Sequence, residues 1–176
     1  MRKLIYHIAC SIDGYIAHED GSVDGLLMAG EHADDFVASL QRYDTVIMGT
    51  NTYAFGFQFG LQPGAPAYEG LRHLIVTRSL EFEESEAVQR ITTDVVHTIQ
   101  DEKERPGKEI WLCGGGHLAG HLMQHNLIDE ICLKVNPVLF GKGIGLLGGQ
   151  ARLQPCQLKE KKAYKNGVML QEYSIT

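Results

Sequence analysis

The sequence lacks any apolar run of about 18 residues, the length that a membrane-spanning helix requires. No charged and then apolar leader with small residues follows Met1, so a secretory signal is not indicated. The cysteines stand singly in apolar stretches, without the close pairs that zinc sites and redox motifs need. We therefore expect a cytoplasmic protein with no membrane contact and with buried thiols at Cys10, Cys113, Cys132 and Cys156.

Positive charge is also scarce, since 16 Lys and Arg face 22 Asp and Glu and the net charge is −6. Nucleic-acid phosphates are bound mainly by clustered Lys and Arg, so we expect no nucleic-acid surface. An anionic ligand would need local positive groups. The 176 residues, 44% of them hydrophobic, suffice for one well-filled core, whereas two domains would each have a marginal one. We expect a single domain over residues 1–176.

Short β-like runs alternate with helix-like segments along the chain. The predicted strands are residues 3–12, 45–49, 71–79, 109–113 and 129–141. The predicted helices are residues 31–43, a helix from 50 through 53, about 93–103, and 115–126. Two final β-like runs meet at Lys165-Asn166-Gly167, a sequence typical of hairpins. This order predicts an α/β fold with a mixed, mostly parallel sheet flanked by helices and closed by an antiparallel C-terminal hairpin.

Three consecutive glycines, Gly114, Gly115 and Gly116, stand where a predicted strand turns directly into a helix. Such a junction exposes backbone N–H groups at the positive end of the helix dipole, which suits a diphosphate. Alternatively, the glycines only let strand and helix cross closely. The run is neither G-x-G-x-x-G nor a P-loop, which weakens an ordinary Rossmann or ATPase interpretation.

Two further strand ends favour a nucleotide. Gly49 ends a predicted strand, and Thr50 and Thr52 on the next helical turn offer hydroxyls and amides to phosphate oxygens. Two such junctions on one sheet indicate a dinucleotide. A third strand ends in Thr77, Arg78 and Ser79, which supply two hydroxyls and a guanidinium. This set suits the extra ribose phosphate of NADP. An Arg after a strand, however, is usually a solvated end.

Four segments together resemble the dihydrofolate reductase-like superfamily, in the order "IACSIDGYIA", "YDTVIMGTNTY", "HLIVTRS" and "IWLCGGGHLAGHLMQHNLIDEICLKVNPVLFGKG". The closer likeness is to the branch related to the C-terminal reductase domain of the bacterial riboflavin-biosynthesis deaminase/reductase. The resemblance covers nearly the whole chain. It implies one α/β domain with about eight strands, NADPH as cofactor, hydride transfer to a ring C=N or a sugar carbonyl, and a homodimer.

The resemblance also implies roles for individual positions. The first nucleotide-binding helix start would be Gly49, Thr50, Asn51 and Thr52, and the 2′-phosphate loop Thr77, Arg78 and Ser79. The diphosphate turn would be Gly114, Gly115, Gly116, His117 and Leu118. The segment that begins at Ala9 and ends at Ala17 would line the nicotinamide, with Asp13 in the S-x-D-G pattern as a catalytic candidate. Thr50 departs from the Arg common in classical dihydrofolate reductases, so Arg78 or backbone would have to meet some phosphate charge.

Two carboxylates, Asp34 and Asp35, lie where true dihydrofolate reductases carry the acid that orients pterin. Such a group can bind an aminopyrimidine or help deliver a proton, although "EHADD" also simply places negative charge at a helix N-terminus. Trp111 lies in a predicted buried strand, away from the nicotinamide loop, which weighs against folate. The closer branch implies 5-amino-6-(5-phosphoribosylamino)uracil as substrate. The alternatives are a dihydrofolate or other pteridine reductase and a non-catalytic NADP(H)-binding module.

Other features have simpler interpretations. The stripe His117, His121 and His125 is typical of a solvated helix face, and no Asp, Glu or Cys completes a metal site, so we expect no metal. Residues 159–165 alternate charge like a protected edge strand. Lys142 either faces solvent or meets a substrate phosphate. The loop of residues 55–70, rich in glycine and aromatics, would form a lid or a dimer contact.

Overall fold

The computed structural model describes residues 1–150 and 153–176. Four α-helices lie within these residues: α1 (Glu31–Ser39), α2 (Thr50–Ala54), α3 (Val95–Glu104) and α4 (Gly116–Gln124). Ten strands complete the described part of the chain: β1 (Leu4–Cys10), β2 (Tyr15–Ala17), β3 (Tyr43–Gly49), β4 (Arg72–Val76), β5 (Val88–Ile91), β6 (Glu109–Gly114), β7 (Glu130–Val135), β8 (Ile144–Gly145), β9 (Cys156–Ala163) and β10 (Met169–Ile175).

Eight strands form one sheet in the order β5-β4-β3-β6-β1-β7-β10-β9. Neighbouring strands run parallel from β5 to β7, whereas β10 runs antiparallel to both β7 and β9. The predicted mostly parallel mixed sheet with an antiparallel C-terminal hairpin is thus confirmed. β2 and β8 form a separate two-stranded antiparallel sheet.

The sheet has a hydrophobic core on each face because successive side chains of a strand point to opposite sides. On β1, Leu4 and Tyr6 belong to the core that includes side chains of α3 and α4, while Ile5 belongs to the other core. This second core contains Trp111 and has Phe36 of α1 packed against it. The sheet therefore separates α1 from α3 and α4.

Several predicted boundaries differ from the structure. The predicted strand over residues 129–141 ends at Val135, since Asn136 turns the chain and Pro137 cannot donate a ladder hydrogen bond. The predicted helix over residues 31–43 is α-helical only to Ser39, and Leu40–Arg42 form a 3-10 turn. β5 was not predicted.

Two expectations from composition have different outcomes. Cys10, Cys113 and Cys132 are free and buried, but the prediction of a buried thiol at Cys156 is wrong, because Cys156 begins the exposed edge strand β9. Among the residues that the structure describes, no helix combines the length and the apolar character that crossing a membrane demands.

Candidate functional site

The carboxyl ends of the parallel strands meet at one edge of the sheet. β1, β3 and β6 end there at Cys10, Gly49 and Gly114. In open α/β sheets, ligands bind outside the carboxyl ends of the strands. This edge is therefore the first place to look for a site.

The glycine run and the start of α2 are neighbours at this edge. A Cβ built on Gly115 would lie 3.3 Å from the Thr52 hydroxyl oxygen. A Cβ built on Gly49 would lie 3.6 Å from both the carbonyl oxygen of Gly114 and the nitrogen of Gly115. The Gly114–Gly115 peptide bond is cis. The two junctions proposed from the sequence thus adjoin, and their backbones are not screened by β-carbons.

The third glycine of the run has a different task. A Cβ on Gly116 would collide with the carbonyl oxygen of Gly145, and a Cβ on Gly120, one turn later, with that of Leu147. Gly116 thus serves close packing, although its partner is the end of β8 and the segment that follows rather than the preceding strand. Leu118 is buried in the core, and only its backbone can reach the edge, whereas His117 is exposed.

The end of β4 supplies an exposed cation. Thr77 is buried, and its hydroxyl oxygen accepts hydrogen bonds from the backbone N–H groups of Ser79 at 3.3 Å and Leu80 at 3.0 Å, so Thr77 shapes the turn. Arg78 and Ser79 are exposed. Within residues 1–150 and 153–176, the Arg78 guanidinium makes neither an ion pair nor a hydrogen bond, and it is available to a ligand anion.

The start of α2 also contacts β4. The Thr50 hydroxyl donates to the carbonyl oxygen of Val76, 3.3 Å away, while Asn51 is exposed. This hydrogen bond joins the α2 junction to the end of β4. The glycine run, the start of α2 and the end of β4 thus follow one another along this edge of the sheet.

Asp13 holds two segments together near the end of β1. Its carboxylate accepts hydrogen bonds from the Ser11 hydroxyl at 2.6 Å and from the backbone N–H groups of Gly141 at 2.7 Å and Phe140 at 3.1 Å. The Ser11 hydrogen bond, followed by those from Gly141 and Phe140, lowers the pKa of Asp13 to about 2. Asp13 is therefore ionised at neutral pH and joins the β1–β2 turn to the segment after β7.

The ends of the segment predicted to line the nicotinamide lie on two strands. Ala9 is half-buried on β1 and is the register partner of Lys134 on β7. Ala17 is buried on β2, which pairs with β8.

The two predicted acids of α1 differ in environment. Asp34 is exposed. Asp35 accepts hydrogen bonds from the Lys162 ammonium group at 2.6 Å and the Tyr164 hydroxyl at 2.8 Å, and these two, in that order, lower its pKa. Asp35 lines a small cavity of about 30 Å³ between α1 and the sheet. We call this cavity the α1 pocket; its walls are His7, His32, Asp35, Phe36, Ser39, Cys132, Lys134, Tyr164, Leu170 and Glu172.

Sequence reasoning missed His7 and Lys134 in the α1 pocket. His7 is 3% exposed, and its Nδ1 lies 3.2 Å from the Tyr43 hydroxyl oxygen. The Lys134 ammonium nitrogen lies 4.1 Å from the centre of the Phe36 ring. The available signal was a lone basic residue in each of two otherwise largely apolar strand runs, "LIYHIAC" and "ICLKV".

The remaining predicted features lie away from this edge or are already paired. His117 and His125 are exposed, as expected for a solvated stripe, while His121 is half-buried. Lys142 forms an ion pair with Glu19 at 2.7 Å. β9 is an edge strand, as predicted.

The loop over residues 55–70 is fastened to the end of α2. The Tyr53 hydroxyl oxygen accepts a hydrogen bond from the Gly64 N–H at 3.0 Å, and the hydroxyl donates to the Ala65 carbonyl oxygen at 2.7 Å. The loop begins with the 3-10 turn Phe55–Phe59, although its glycines and prolines had argued against a regular element.

Comparison with protein families gives one match over nearly the full length. The model for the RibD C-terminal domain matches residues 2–170. This chain belongs to the RibD C-terminal domain family. The match confirms the resemblance to the reductase domain of the riboflavin-biosynthesis deaminase/reductase.

Individual relatives have the same length or the same fold. This member of the RibD C-terminal domain family is 34% identical to the uncharacterized protein YwjB of Bacillus subtilis (strain 168) over 170 residues, which are 96% of each chain. A candidate riboflavin biosynthesis protein from Shewanella sp. PV-4 superposes with a TM-score of 0.82 at 22% identity, covering 100% of this chain and 99% of that one.

A bifunctional relative contains the fold as one part. The diaminohydroxyphosphoribosylaminopyrimidine deaminase/5-amino-6-(5-phosphoribosylamino)uracil reductase from Thermotoga maritima gives a TM-score of 0.73 at 17% identity. The superposition covers 99% of this chain and 57% of that chain. At such identities the superposition shows the shared fold.

Proposed function

We propose that this RibD C-terminal domain protein is an NADPH-dependent reductase that transfers a hydride to a small heterocyclic or ribosylamino substrate. The observation that carries the proposal is the meeting of Gly49 and Thr52 with Gly114 and Gly115 at the carboxyl edge of the sheet. Unscreened backbone at the start of a helix suits a diphosphate. Membership of a reductase-domain family supports the same activity.

The residues of this edge fit the cofactor. Gly114, Gly115 and Thr52 would hold the diphosphate, because a β-carbon at either glycine would fill the space beside the Thr52 hydroxyl. Arg78 and Ser79 would hold the 2′-phosphate, since both are exposed and the guanidinium binds no anion among the described residues. The cofactor supplies a hydride when bound. Thr77 would orient the turn that carries Arg78.

Asp13 acts in this proposal as a positioning residue. Its three hydrogen-bond donors come from the protein itself, and its lowered pKa leaves no proton to deliver at neutral pH. It fixes the segment after β7 next to the end of β1, where Ala9 would lie beside the nicotinamide. Proximity and orientation of the two reactants then supply most of the acceleration.

The substrate proposed first is 5-amino-6-(5-phosphoribosylamino)uracil. The support is family membership and the reductase name of the Thermotoga maritima relative. Consumption of NADPH in the presence of this compound, followed by absorbance, is the direct assay. If the protein reduces dihydrofolate and not this compound, it is a pteridine reductase instead.

Calorimetric titration with NADPH and with NADH tests the cofactor. The variants are Arg78→Ala and Gly115→Val, with Arg105→Ala as control, because Arg105 is exposed near the opposite end of β6. A charged hydrogen bond contributes about 1.5–3 kcal/mol, so Arg78→Ala should weaken NADPH binding roughly tenfold or more and leave NADH binding unchanged. Gly115→Val should weaken both.

If the wild type binds neither nucleotide, the glycine run is a packing device and the reductase assignment is dropped. Equal binding of NADPH and NADH, unchanged in Arg78→Ala, would remove the 2′-phosphate role of Arg78.

A further inference from the structure

The α1 pocket contains a lysine that no described residue neutralises with an ion pair. Lys134 lies on β7 in the middle of the sheet, and its ammonium group sits over the Phe36 ring at 4.1 Å. Throughout the described residues, this ammonium group makes no hydrogen bond and no ion pair. A ring face compensates only part of the cost of taking an ammonium group out of water. Burial accordingly lowers the pKa of Lys134.

The carboxylates in the same walls are already paired with other cations. Asp35 binds Lys162 at 2.6 Å, and Glu172 accepts a hydrogen bond from Arg42 at 2.8 Å. Neither one is paired with Lys134. The pocket is therefore built to leave one positive group for a molecule that enters it.

A second polar atom in the walls also lacks a partner. The Nε2 atom of His7 is buried and has no hydrogen bond among the described residues, although Nδ1 lies 3.2 Å from the Tyr43 hydroxyl oxygen. Burial, with smaller contributions from the charges of Lys134 and Arg42, lowers the pKa of His7 to about 3. The imidazole is neutral at neutral pH. A hydrogen bond from a ligand to this atom would remove the cost of leaving a buried polar group unpaired.

The size and place of the pocket limit its occupant. A cavity of about 30 Å³ accepts one small group rather than a heterocyclic ring. Its ammonium group belongs to the register partner of Ala9, which is proposed to lie beside the nicotinamide. A substrate ring at Ala9 could therefore direct one substituent into the pocket.

We propose that the α1 pocket binds an oxygen substituent of the substrate ring that carries partial or full negative charge, held by the Lys134 ammonium group and His7 Nε2. The ligand class is a planar heterocycle with a ring carbonyl oxygen, as on the uracil proposed above, or with an enolate oxyanion, which should bind more tightly. This inference rests on the proposed reductase function for the identity of the bound ring as substrate, but the oxyanion site itself is testable without turnover.

Calorimetry with two matched rings tests the site. The probes are barbiturate, a six-membered ring with an enolate oxygen at neutral pH, and pyrimidine, the same ring without oxygen. The proteins are wild type, Lys134→Met, Lys134→Arg, His7→Leu and the control Lys161→Met on the exposed strand β9. Each protein is also titrated with NADPH, and barbiturate is repeated with NADPH present.

The expected result is barbiturate binding at least tenfold tighter than pyrimidine binding in wild type and in Lys161→Met. Lys134→Met should lose this preference, and Lys134→Arg should recover part of it. His7→Leu should bind barbiturate more weakly than the wild type does. If Lys134→Met does not fold, the lysine ammonium resonances of the wild type serve instead, and one of them must shift with barbiturate but not with pyrimidine.

Equal binding of the two rings by wild type, or an unchanged preference in folded Lys134→Met, would mean that the pocket holds a buried water only and would overturn the inference. A wild type that binds NADPH but not barbiturate refutes the oxyanion site alone. A wild type that binds barbiturate but neither nucleotide refutes the proposed function alone.

Discussion

Gly116 of α4 lies against the carbonyl oxygen of Gly145, and the gap between them is too small for a β-carbon. This contact packs the end of β8 against the first turn of α4, where the glycine run ends. The packing requires a hydrogen atom in place of a side chain at Gly116, because the opposing atom belongs to the backbone and cannot rotate away.

Gly116→Ala should therefore destabilise the protein, by about 1–3 kcal/mol, the usual cost of overpacking. Urea unfolding measures the difference. The matched control is Gly145→Ala, because a Cβ on Gly145 would have no heavy atom within 4 Å. Equal stability of the two variants would contradict the contact.

Asp13 should make stability depend on pH in the acid range. Its pKa is lowered from 3.8 to about 2, so the ionised form is favoured in the folded state. The stabilisation is then fully present above about pH 4 and is lost as the pH falls through about 2. Asp13→Asn should remove this component and flatten the stability profile between those limits.

Thermal unfolding from pH 7 down to pH 2 checks this dependence. Asp24→Asn is the control, because Asp24 is exposed outside the helices and its carboxylate has no hydrogen-bond or ion-pair partner among the described residues. A profile for Asp13→Asn that runs parallel to the wild type would refute the role of the Asp13 hydrogen bonds.

Arg2 should be among the most costly polar side chains to remove. It pairs with Glu102 at 2.7 Å, and these side chains are 6% and 4% exposed. Arg2→Met deprives a buried carboxylate of one partner, which should cost about 3 kcal/mol. Arg105 binds the same carboxylate at 3.2 Å, but its side chain is 61% exposed, so Arg105→Met should cost less than about 1 kcal/mol. Chemical denaturation of both variants decides whether burial sets the difference.

The cysteines should react with a thiol reagent in two classes. Cys156 is exposed, whereas burial raises the pKa of Cys10 to about 11 and the pKa values of Cys113 and Cys132 to about 12. A thiol that is buried and protonated is a poor nucleophile. In the folded protein, the reagent should therefore modify Cys156 quickly, and it should modify the other three cysteines only after unfolding. Fast modification of Cys156→Ser would show that one of the buried strands opens.

The homodimer implied by family resemblance stays a prediction. Light scattering on the eluting protein should give twice the 19.5 kDa mass of one chain. A mass of one chain would refute the dimer, and the residues that bind the cofactor and the substrate would then all belong to one molecule.

The sequence predicted the parts of the fold that depend on local pattern. Asn166-Gly167 predicted the C-terminal hairpin, and the apolar runs predicted β1, β3, β4, β6 and β7 to within a few residues, apart from the end of β7. β5 escaped notice because its "VQRI" pattern is too short and too polar to stand out. The end of β7 was missed because Asn136 is held by a distant partner, the carbonyl oxygen of Cys10.

The candidate site was predictable only where glycines mark it. The run from Gly114 to Gly116 was placed correctly at a strand-to-helix junction, but which of its glycines are open and which one packs became visible only once Thr52 and Gly145 were placed beside it. His7 and Lys134 are far apart in sequence. They share a pocket only because β1 and β7 are adjacent in the sheet.

The position of β1 has a consequence for how the protein is made. β1 precedes the other described strands along the chain, yet it lies between β6 and β7 in the middle of the sheet. Its first neighbour is complete only after residue 114 is synthesised, and its second only after residue 135. Such distant pairing slows folding and leaves apolar segments exposed meanwhile. During synthesis, β1 therefore has neither of its sheet neighbours until β6 has been made, and this apolar strand is open to chaperones that bind extended apolar segments.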